Sequence, residues 1–227
     1  LYRLMNRFAK EFPNVMAMLC AGGSGRVDYG ALPYFHSFWP SDNTDPLGRI
    51  KIQWGFSHFF PASTISAHVT RMGKRHLKLA IDVALSGAFG VDLALDKATA
   101  EERAQIADAV KLYKERIRPL VMHGELYRLV SPYESPLASL SYVSTDKQKA
   151  VVYFYQTKDG NEPRVKLGGL DAHKKYRVEE VSQAKGVTSR FPANGKVFTG
   201  AELMEKGLEN PLNTQFESAV LILIANN

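Results

Sequence analysis

The first half of the chain alternates stretches of helical periodicity with short apolar runs. Leu1, Leu4 and Phe8 recur at the spacing of one helix face, and Pro13 ends that stretch. The run Val15–Cys20 is apolar throughout and precedes a glycine-rich turn, which is typical of a parallel strand buried on both faces. The same reasoning predicts helices over Asp45–Phe60, His76–Phe89 and Ala100–Val121, and a short strand at Phe38–Trp39.

After residue 124 the pattern changes to a period of two, which is typical of antiparallel strands. Turn residues such as Lys158–Asn161 and Gly168–Gly169 separate the alternating stretches. We therefore expect a small antiparallel β-sandwich over residues 125–227 and an α/β unit over residues 1–124. The predicted strands include Val151–Gln156, Arg164–Leu167, Tyr176–Glu179, Lys196–Thr199 and Phe216–Ile224.

Composition places the chain among ordinary globular proteins. It has 227 residues, of which 45% are hydrophobic and 23% charged, and one cysteine, which excludes an intramolecular disulfide framework and a cysteine-rich zinc site. No apolar run approaches the roughly 18 residues of a membrane span, so we expect a protein without membrane contact. Because Leu1 falls inside an amphipathic helix, we also expect the chain to be a piece of a longer protein.

The net charge of +6 raises the question of a nucleic-acid partner. The densest basic stretch, Arg71–His76, is short and has no recognised nucleic-acid module around it. A solvated basic surface therefore explains the charge, and we expect no nucleic-acid partner. Binding of nucleic acid through this basic surface stays an alternative to the functions considered below. It would show itself as salt-dependent binding to DNA or RNA.

The segment from Cys20 to Asp28 brings three glycines within four residues to the end of a predicted parallel strand. Glycines allow a close approach of backbone to ligand, and ligands bind at the carboxyl ends of such strands. The spacing matches neither a phosphate-binding loop nor a dinucleotide fingerprint. A tight turn without a ligand is the alternative interpretation.

A second segment, Trp39–Asp45, follows the next predicted strand and carries two carboxylates. Asp45 has an ordinary role as a helix cap, whereas Asp42 lies ahead of the helix. A carboxyl group at a strand end beside an aromatic ring can act as a general acid if desolvation or a like charge raises its pKa. The Trp39 indole could stack on a sugar or fill the core. A turn residue is the plainer reading of Asp42.

Nucleophiles and metal ligands are not indicated elsewhere. Cys20 has no histidine partner in a local motif, and Ser24 lacks the serine-hydrolase elbow. We therefore expect no metal and no cofactor. The histidines show no metal-ligand spacing and are interpreted as structural or surface residues: His36, His58, His68, His76, His123 and His173.

Taken together, these segments resemble the α-galactosidases of glycoside hydrolase family 36. Residues 20–28 are similar to that family's Cys-(Ser/Ala)-Gly-rich-Arg-x-Asp loop, and residues 39–45 to its Trp-x-Ser-Asp-Asn-Thr-Asp segment. Residues 49–57, 67–69, 87–93 and 169–178 follow in the family's order. The resemblance implies the C-terminal part of a TIM-type β/α barrel followed by the family's antiparallel β-domain.

The resemblance also implies site roles. Asp42 matches the general acid/base of a retaining hydrolase of terminal α-galactosides of the raffinose or melibiose type. The galactose pocket is expected to include Cys20, Ala21, Gly22, Gly23, Arg26 and Trp39, while Asp45 and Arg49 hold the Asp42 loop. A homo-oligomer is a further implication, because family members often form tetramers; the compartment, bacterial cytoplasm or periplasm, stays open.

One departure from the family is large. The Lys-Trp-Asp motif of the family's nucleophile does not occur in the sequence. A retaining glycosidase needs two carboxyl groups about 5–5.5 Å apart, so the 227 residues alone are predicted to be inactive. A non-catalytic carbohydrate-binding or assembly module is the alternative function, which galactose binding without hydrolysis would favour.

Overall fold

The computed structural model describes residues 1–70, 76–183 and 186–226. Up to residue 123 helices alternate with short strands, whereas antiparallel strands dominate from residue 125. The first part contains α1 (Tyr2–Glu11), β1 (Met18–Leu19), β2 (Ser37–Phe38), α2 (Pro46–Phe56), a 3₁₀ turn (Ala62–Thr64), β3 (Ser66–Thr70), α3 (Leu77–Ala84), β4 (Ala88–Asp92), a second 3₁₀ turn (Leu95–Lys97), α4 (Ala100–Leu112), a π-helical segment (Tyr113–Ile117) and α5 (Arg118–His123).

The four strands of the first part are parallel neighbours in chain order. β1 pairs with β2 and β3 with β4, and a single parallel bridge between Phe38 and Ile65 joins the two pairs. α2 and α3 return the chain to the same end of the sheet between β2, β3 and β4, whereas the segment between β1 and β2 contains no helix. An eight-stranded barrel requires more strands than these, so membership of a barrel stays a prediction.

Helix boundaries follow the capping residues that the sequence indicates. Asp45 precedes α2, and its side chain accepts a hydrogen bond from the Gly48 amide at 3.1 Å. Thr99 and Glu102 form the expected reciprocal capping box at the start of α4. These local signals therefore fix where both helices begin.

The predicted helix from His76 to Phe89 is wrong at its C-terminal end. α3 stops at Ala84, and residues 88–92 form β4. A Cβ atom on Gly87 would lie 2.7 Å from the Ile65 carbonyl oxygen, so the chain turns there in close contact with the segment before β3. This tertiary contact, which no local pattern reports, ends the helix.

The second part is built on a six-stranded antiparallel sheet in the order β10-β9-β12-β7-β6-β5. Its central strands are buried on both faces, whereas β9 alternates between exposed and buried residues. The elements of this part are β5 (Glu125–Val130), β6 (Leu137–Val143), β7 (Lys149–Gln156), β8 (Arg164–Val165), β9 (Lys175–Glu180), β10 (Val197–Thr199), α6 (Gly200–Glu205), β11 (Leu208–Glu209) and β12 (Ser218–Asn226).

The expected sandwich differs from the observed layers. One face of the large sheet is covered by Leu167, Phe191, Leu203 and other residues of short segments, which include α6 and the two-stranded ladder of β8 and β11. The opposite face packs on α3, the π-helical segment and α5 of the first part. Helices therefore cover one face of the large sheet, and the only strands on the other face, among the described residues, are the short β8 and β11.

Three tyrosines join the two parts. The hydroxyl groups of Tyr142, Tyr153 and Tyr155 lie on the large sheet and donate hydrogen bonds to backbone carbonyls at the C-terminal end of α3. All three side chains are buried. The free carbonyls of a helix end need such partners, so the sheet fixes the end of α3.

No helix in the described ranges is long and apolar enough to cross a bilayer. Of the basic stretch Arg71–His76, residues 71–75 lie outside the described part of the chain.

Candidate active site

The glycine-rich loop that follows β1 packs against the loop that follows β2. Gly22 and Gly23 both have left-handed backbone, with φ of 60° and 76°, a conformation that favours glycine. A Cβ atom on Gly23 would lie 3.1 Å from Ser41 Cα and 3.4 Å from Asp42 N. The two loops therefore touch at the carboxyl ends of adjacent parallel strands, the side where β/α proteins bind ligands.

Trp39 and Asp42 are joined within the second loop. The indole Nε1 of Trp39 donates a hydrogen bond to Oδ1 of Asp42 at 3.1 Å. Asp42 is exposed, and Trp39 is partly buried. The structure therefore places one carboxylate in an oriented position beside the glycine-rich loop, open to a ligand.

Arg49 binds the backbone of this loop from the protein interior. It is 2% exposed, and its guanidinium donates to the carbonyl oxygens of Ser41 (3.1 Å) and Ser66. Its carbon Cζ also lies 5.2 Å from the centre of the Trp39 ring. Burial lowers the pKa of Arg49 to about 10, so the group stays charged at neutral pH. A buried cation bound to backbone carbonyls fixes the loop and does not reach the exposed surface.

Asp45 has a purely local role. Its carboxylate caps α2, and its own amide donates to the Oδ1 atom of Asn43 at 3.0 Å. The Asn43 side chain lies so close to Gly48 that a Cβ atom there would approach within 2.8 Å of it. The segment between Asp42 and α2 is thus a network of short side-chain contacts that fixes the backbone of Asp42.

Family models match most of this chain. The Melibiase model matches residues 1–124, more than half of the 227 residues, and the model of the glycosyl hydrolase family 36 C-terminal domain matches residues 137–223. The chain belongs to glycosyl hydrolase family 36. The resemblance drawn from the residues, to the C-terminal portion of these proteins, is therefore confirmed.

Curated relatives of this family 36 chain are longer alpha-galactosidases. Alpha-galactosidase AgaA of Geobacillus stearothermophilus is 36% identical over 220 residues, which cover 93% of this chain and 28% of that protein. Alpha-galactosidase 2 of Hypocrea jecorina is 32% identical over 233 residues, which cover 98% of this chain and 29% of that protein. The chain therefore spans less than a third of the length of these relatives.

Solved structures show the same relation. The crystal structure of the family 36 alpha-galactosidase AgaB from Geobacillus stearothermophilus matches with a TM-score of 0.87 and 35% identity, over 99% of this chain and 30% of that one. The alpha-galactosidase from Lactobacillus brevis matches with a TM-score of 0.87 and 29% identity, over 100% and 31%. The fold of this family 36 chain is thus that of about a third of each solved protein.

The predicted site residues fall into two groups in the structure. Gly23, Trp39 and Asp42 come together with the supporting Arg49 and Asp45, as described above. Cys20 and Arg26 are exposed on the glycine-rich loop, and their role in a galactose pocket stays a prediction. Ala21 and Gly22 lie on the same loop, where Ala21 donates its amide to the Gly23 carbonyl at 3.0 Å.

One residue near the site was missed by sequence reasoning. His68 was interpreted as structural or surface, yet its ring contacts the Trp39 ring with centroids 4.8 Å apart. The sequence does place His68 on an apolar stretch, Ala67–Val69, but only the bridge between Phe38 of β2 and Ile65, just before β3, brings its ring to Trp39. Among the described residues, no cluster of three or more histidine, cysteine or acidic side chains is arranged to hold a metal ion.

Proposed function

We propose that the chain is the C-terminal part of a longer retaining α-galactosidase in which Asp42 is the general acid/base. The observation that carries the proposal is the contact of Gly23 with the backbone of Ser41 and Asp42, because it sets a carboxylate beside an open glycine-rich loop. Family membership supports the same reaction. Solved structures of Geobacillus stearothermophilus AgaA variants contain raffinose and stachyose, so we propose α-galactosides of the raffinose or melibiose type as substrates.

The proposed reaction has two steps at the anomeric carbon. First, Asp42 gives its proton to the glycosidic oxygen as the C1–O bond breaks, and a second carboxylate, from outside the 227 residues, bonds to C1. Then the Asp42 carboxylate removes a proton from a water molecule whose oxygen bonds to C1 and releases the second carboxylate. Because Trp39 binds Oδ1, we assign the proton transfers to Oδ2.

The remaining residues bind the sugar or fix the loop in this proposal. Cys20, Ala21, Gly22 and Gly23 border the galactose, since glycine backbone lets a sugar hydroxyl approach amide groups closely. Arg26 and Trp39 contact the substrate. Asp45 and Arg49, whose bonds run to backbone atoms, preserve the position of Asp42.

A leaving-group comparison tests the acid/base role. In the full-length protein, Asp42→Asn should lower kcat/KM for melibiose-type substrates by about 10²–10⁴-fold, the usual effect of general acid catalysis. An activated aryl α-galactoside should lose much less, because its leaving group needs little protonation. Asp108→Asn, an exposed change on α4, is the matched control and should leave both rates unchanged. Equal loss on both substrates would contradict the role of Asp42.

The second candidate, a non-catalytic carbohydrate-binding or assembly module, is favoured by one observation. The described site presents the exposed carboxylate of Asp42 beside an open loop, an arrangement that can bind a sugar without cleaving it. Calorimetric titration of the full-length protein with galactose, paired with a hydrolysis assay, separates the two candidates. Binding without any hydrolysis would favour the module, whereas hydrolysis with retention of configuration supports the enzyme.

A further inference from the structure

His68 lies in the line of contacts that ends at Asp42. It is the central residue of β3, and its ring meets the Trp39 ring at 4.8 Å between centroids with an interplanar angle of 65°. This edge-to-face arrangement is a favoured geometry for aromatic pairs. The Trp39 indole in turn donates to Asp42, so one ring separates His68 from the carboxylate.

The neighbouring strand makes room for this ring. Gly90 on β4 is the register partner of His68, and a Cβ atom on Gly90 would lie 2.4 Å from Cδ2 and Nε2 of the imidazole. Any side chain at residue 90 would therefore displace the ring. With Gly90 on one side and Trp39 on the other, the imidazole has little freedom to turn.

Burial of the His68 ring favours its neutral form. Burial lowers the pKa of His68, and the Arg49 cation acts in the same direction, while Asp92 at the end of β4 opposes them. A second cation would lie close to Arg49, which already stands over the Trp39 ring at 5.2 Å. The indole thus contacts one buried cation and one imidazole ring.

We propose that His68 is a positioning residue for Asp42: its ring holds the Trp39 indole in the orientation in which Nε1–H reaches the Asp42 carboxylate. The contact itself follows from the described geometry, and its effect on turnover rests on the proposed function. An aromatic ring is what the geometry requires, since the contact is an edge-to-face pair of two rings. Phenylalanine at residue 68 should therefore preserve the orientation of the Trp39 indole, whereas alanine should not.

The first test reads the contact without any reaction. The described chain contains two tryptophans, Trp39 and Trp54. In the full-length protein, the indole N–H NMR signal of Trp39 is identified by its absence from the spectrum of Trp39→Phe. Asp42→Ala removes the acceptor of the Trp39 indole N–H and should therefore shift the Trp39 signal. His68→Ala should move the Trp39 signal toward its position in Asp42→Ala, whereas His68→Phe should leave it close to its position in the unchanged protein.

Two further variants guard this test. His58 packs on the other tryptophan, Trp54, at 6.4 Å between ring centroids, so His58→Ala is the matched control and should leave the Trp39 signal in place. Gly90→Ala keeps the histidine but displaces its ring, so it should have the same effect on the Trp39 signal as His68→Ala. It keeps the test decisive if His68→Ala folds poorly. A Trp39 signal that is unchanged in both His68→Ala and Gly90→Ala would overturn the proposal.

The second test follows turnover in the full-length protein. His68→Ala should lower kcat/KM for melibiose about tenfold more than for an activated aryl α-galactoside, since misplacement of the acid affects only the step that needs protonation. His68→Phe should restore most of the loss. Equal loss on both substrates would overturn the positioning role. Absence of α-galactosidase activity in the wild-type protein would instead refute the proposed function, and the NMR test would still decide the contact.

Discussion

Removal of one buried hydroxyl group should measure how firmly the antiparallel sheet is joined to the helical part. Tyr153 is 0% exposed, and its hydroxyl donates to the Leu85 carbonyl oxygen at 2.9 Å. Leu85 directly follows the last residue of α3. Tyr153→Phe keeps the ring and its packing, so the change removes the hydrogen bond and leaves the carbonyl without this donor.

The size of the effect follows from the burial of that carbonyl. A buried polar group left without its partner costs about 1–3 kcal/mol, and no cavity term is added because the ring remains. We therefore expect Tyr153→Phe to lower the free energy of unfolding by about 2 kcal/mol, which corresponds to a fall in Tm of roughly 4–8 °C for a protein of this size.

Thermal and urea unfolding of the chain, followed by circular dichroism, would measure this loss. Tyr133→Phe is the control, because Tyr133 is 64% exposed and its hydroxyl is 3.4 Å from the Lys51 carbonyl. That exposed change should alter stability by less than about 0.5 kcal/mol. If both variants unfold alike, the buried hydroxyl does not join the two parts and the reasoning is wrong.

Two further changes test other parts of the structure. Gly23→Ala should lower turnover of α-galactosides by the full-length protein about tenfold or more, because the added methyl group would press on the loop that carries Asp42. Gly195→Ala is the control for backbone strain, because φ at Gly195 is +77° and the space around it is open. The Arg116 hydrogen bonds lower the pKa of Glu179 below its ordinary 4.5, so the stability from this pair is present above about pH 4.5 and lost as the pH falls further. Glu179→Gln should therefore lower the free energy of unfolding in urea by no more than about 1 kcal/mol near pH 7, and by less near pH 3. The same loss at both pH values would contradict this assignment.

Local signals in the sequence predicted those elements whose ends are set by nearby residues. The start of α2 at Asp45 and of α4 at Thr99 are confirmed, since each cap acts within one helical turn. The alternation in β7 is also confirmed, with Tyr153 and Tyr155 on one face and Phe154 on the other. β5 and β6 were missed, because their short apolar stretches become strands only by pairing with β7 and with each other.

For the candidate site, the sequence could place residues at strand ends but not against one another. Parallel strands were enough to predict that the Gly23 loop and the Asp42 loop lie on one side. The contact between those loops, the Arg49 bonds to distant carbonyls and the packing of His68 on Trp39 all depend on residues far apart in the chain. Such long-range contacts have no periodicity or motif, which is why histidines looked structural.

The anomeric form of an azide product tests the role of Asp42 most directly. In full-length Asp42→Gly, an activated aryl α-galactoside still forms the covalent sugar–enzyme bond, and azide, which needs no general base, can then attack the anomeric carbon. Because the second carboxylate would hold the opposite face of the sugar, the account predicts that azide accelerates turnover and yields α-galactosyl azide. Formation of β-galactosyl azide would show that Asp42 is the nucleophile and would contradict the account.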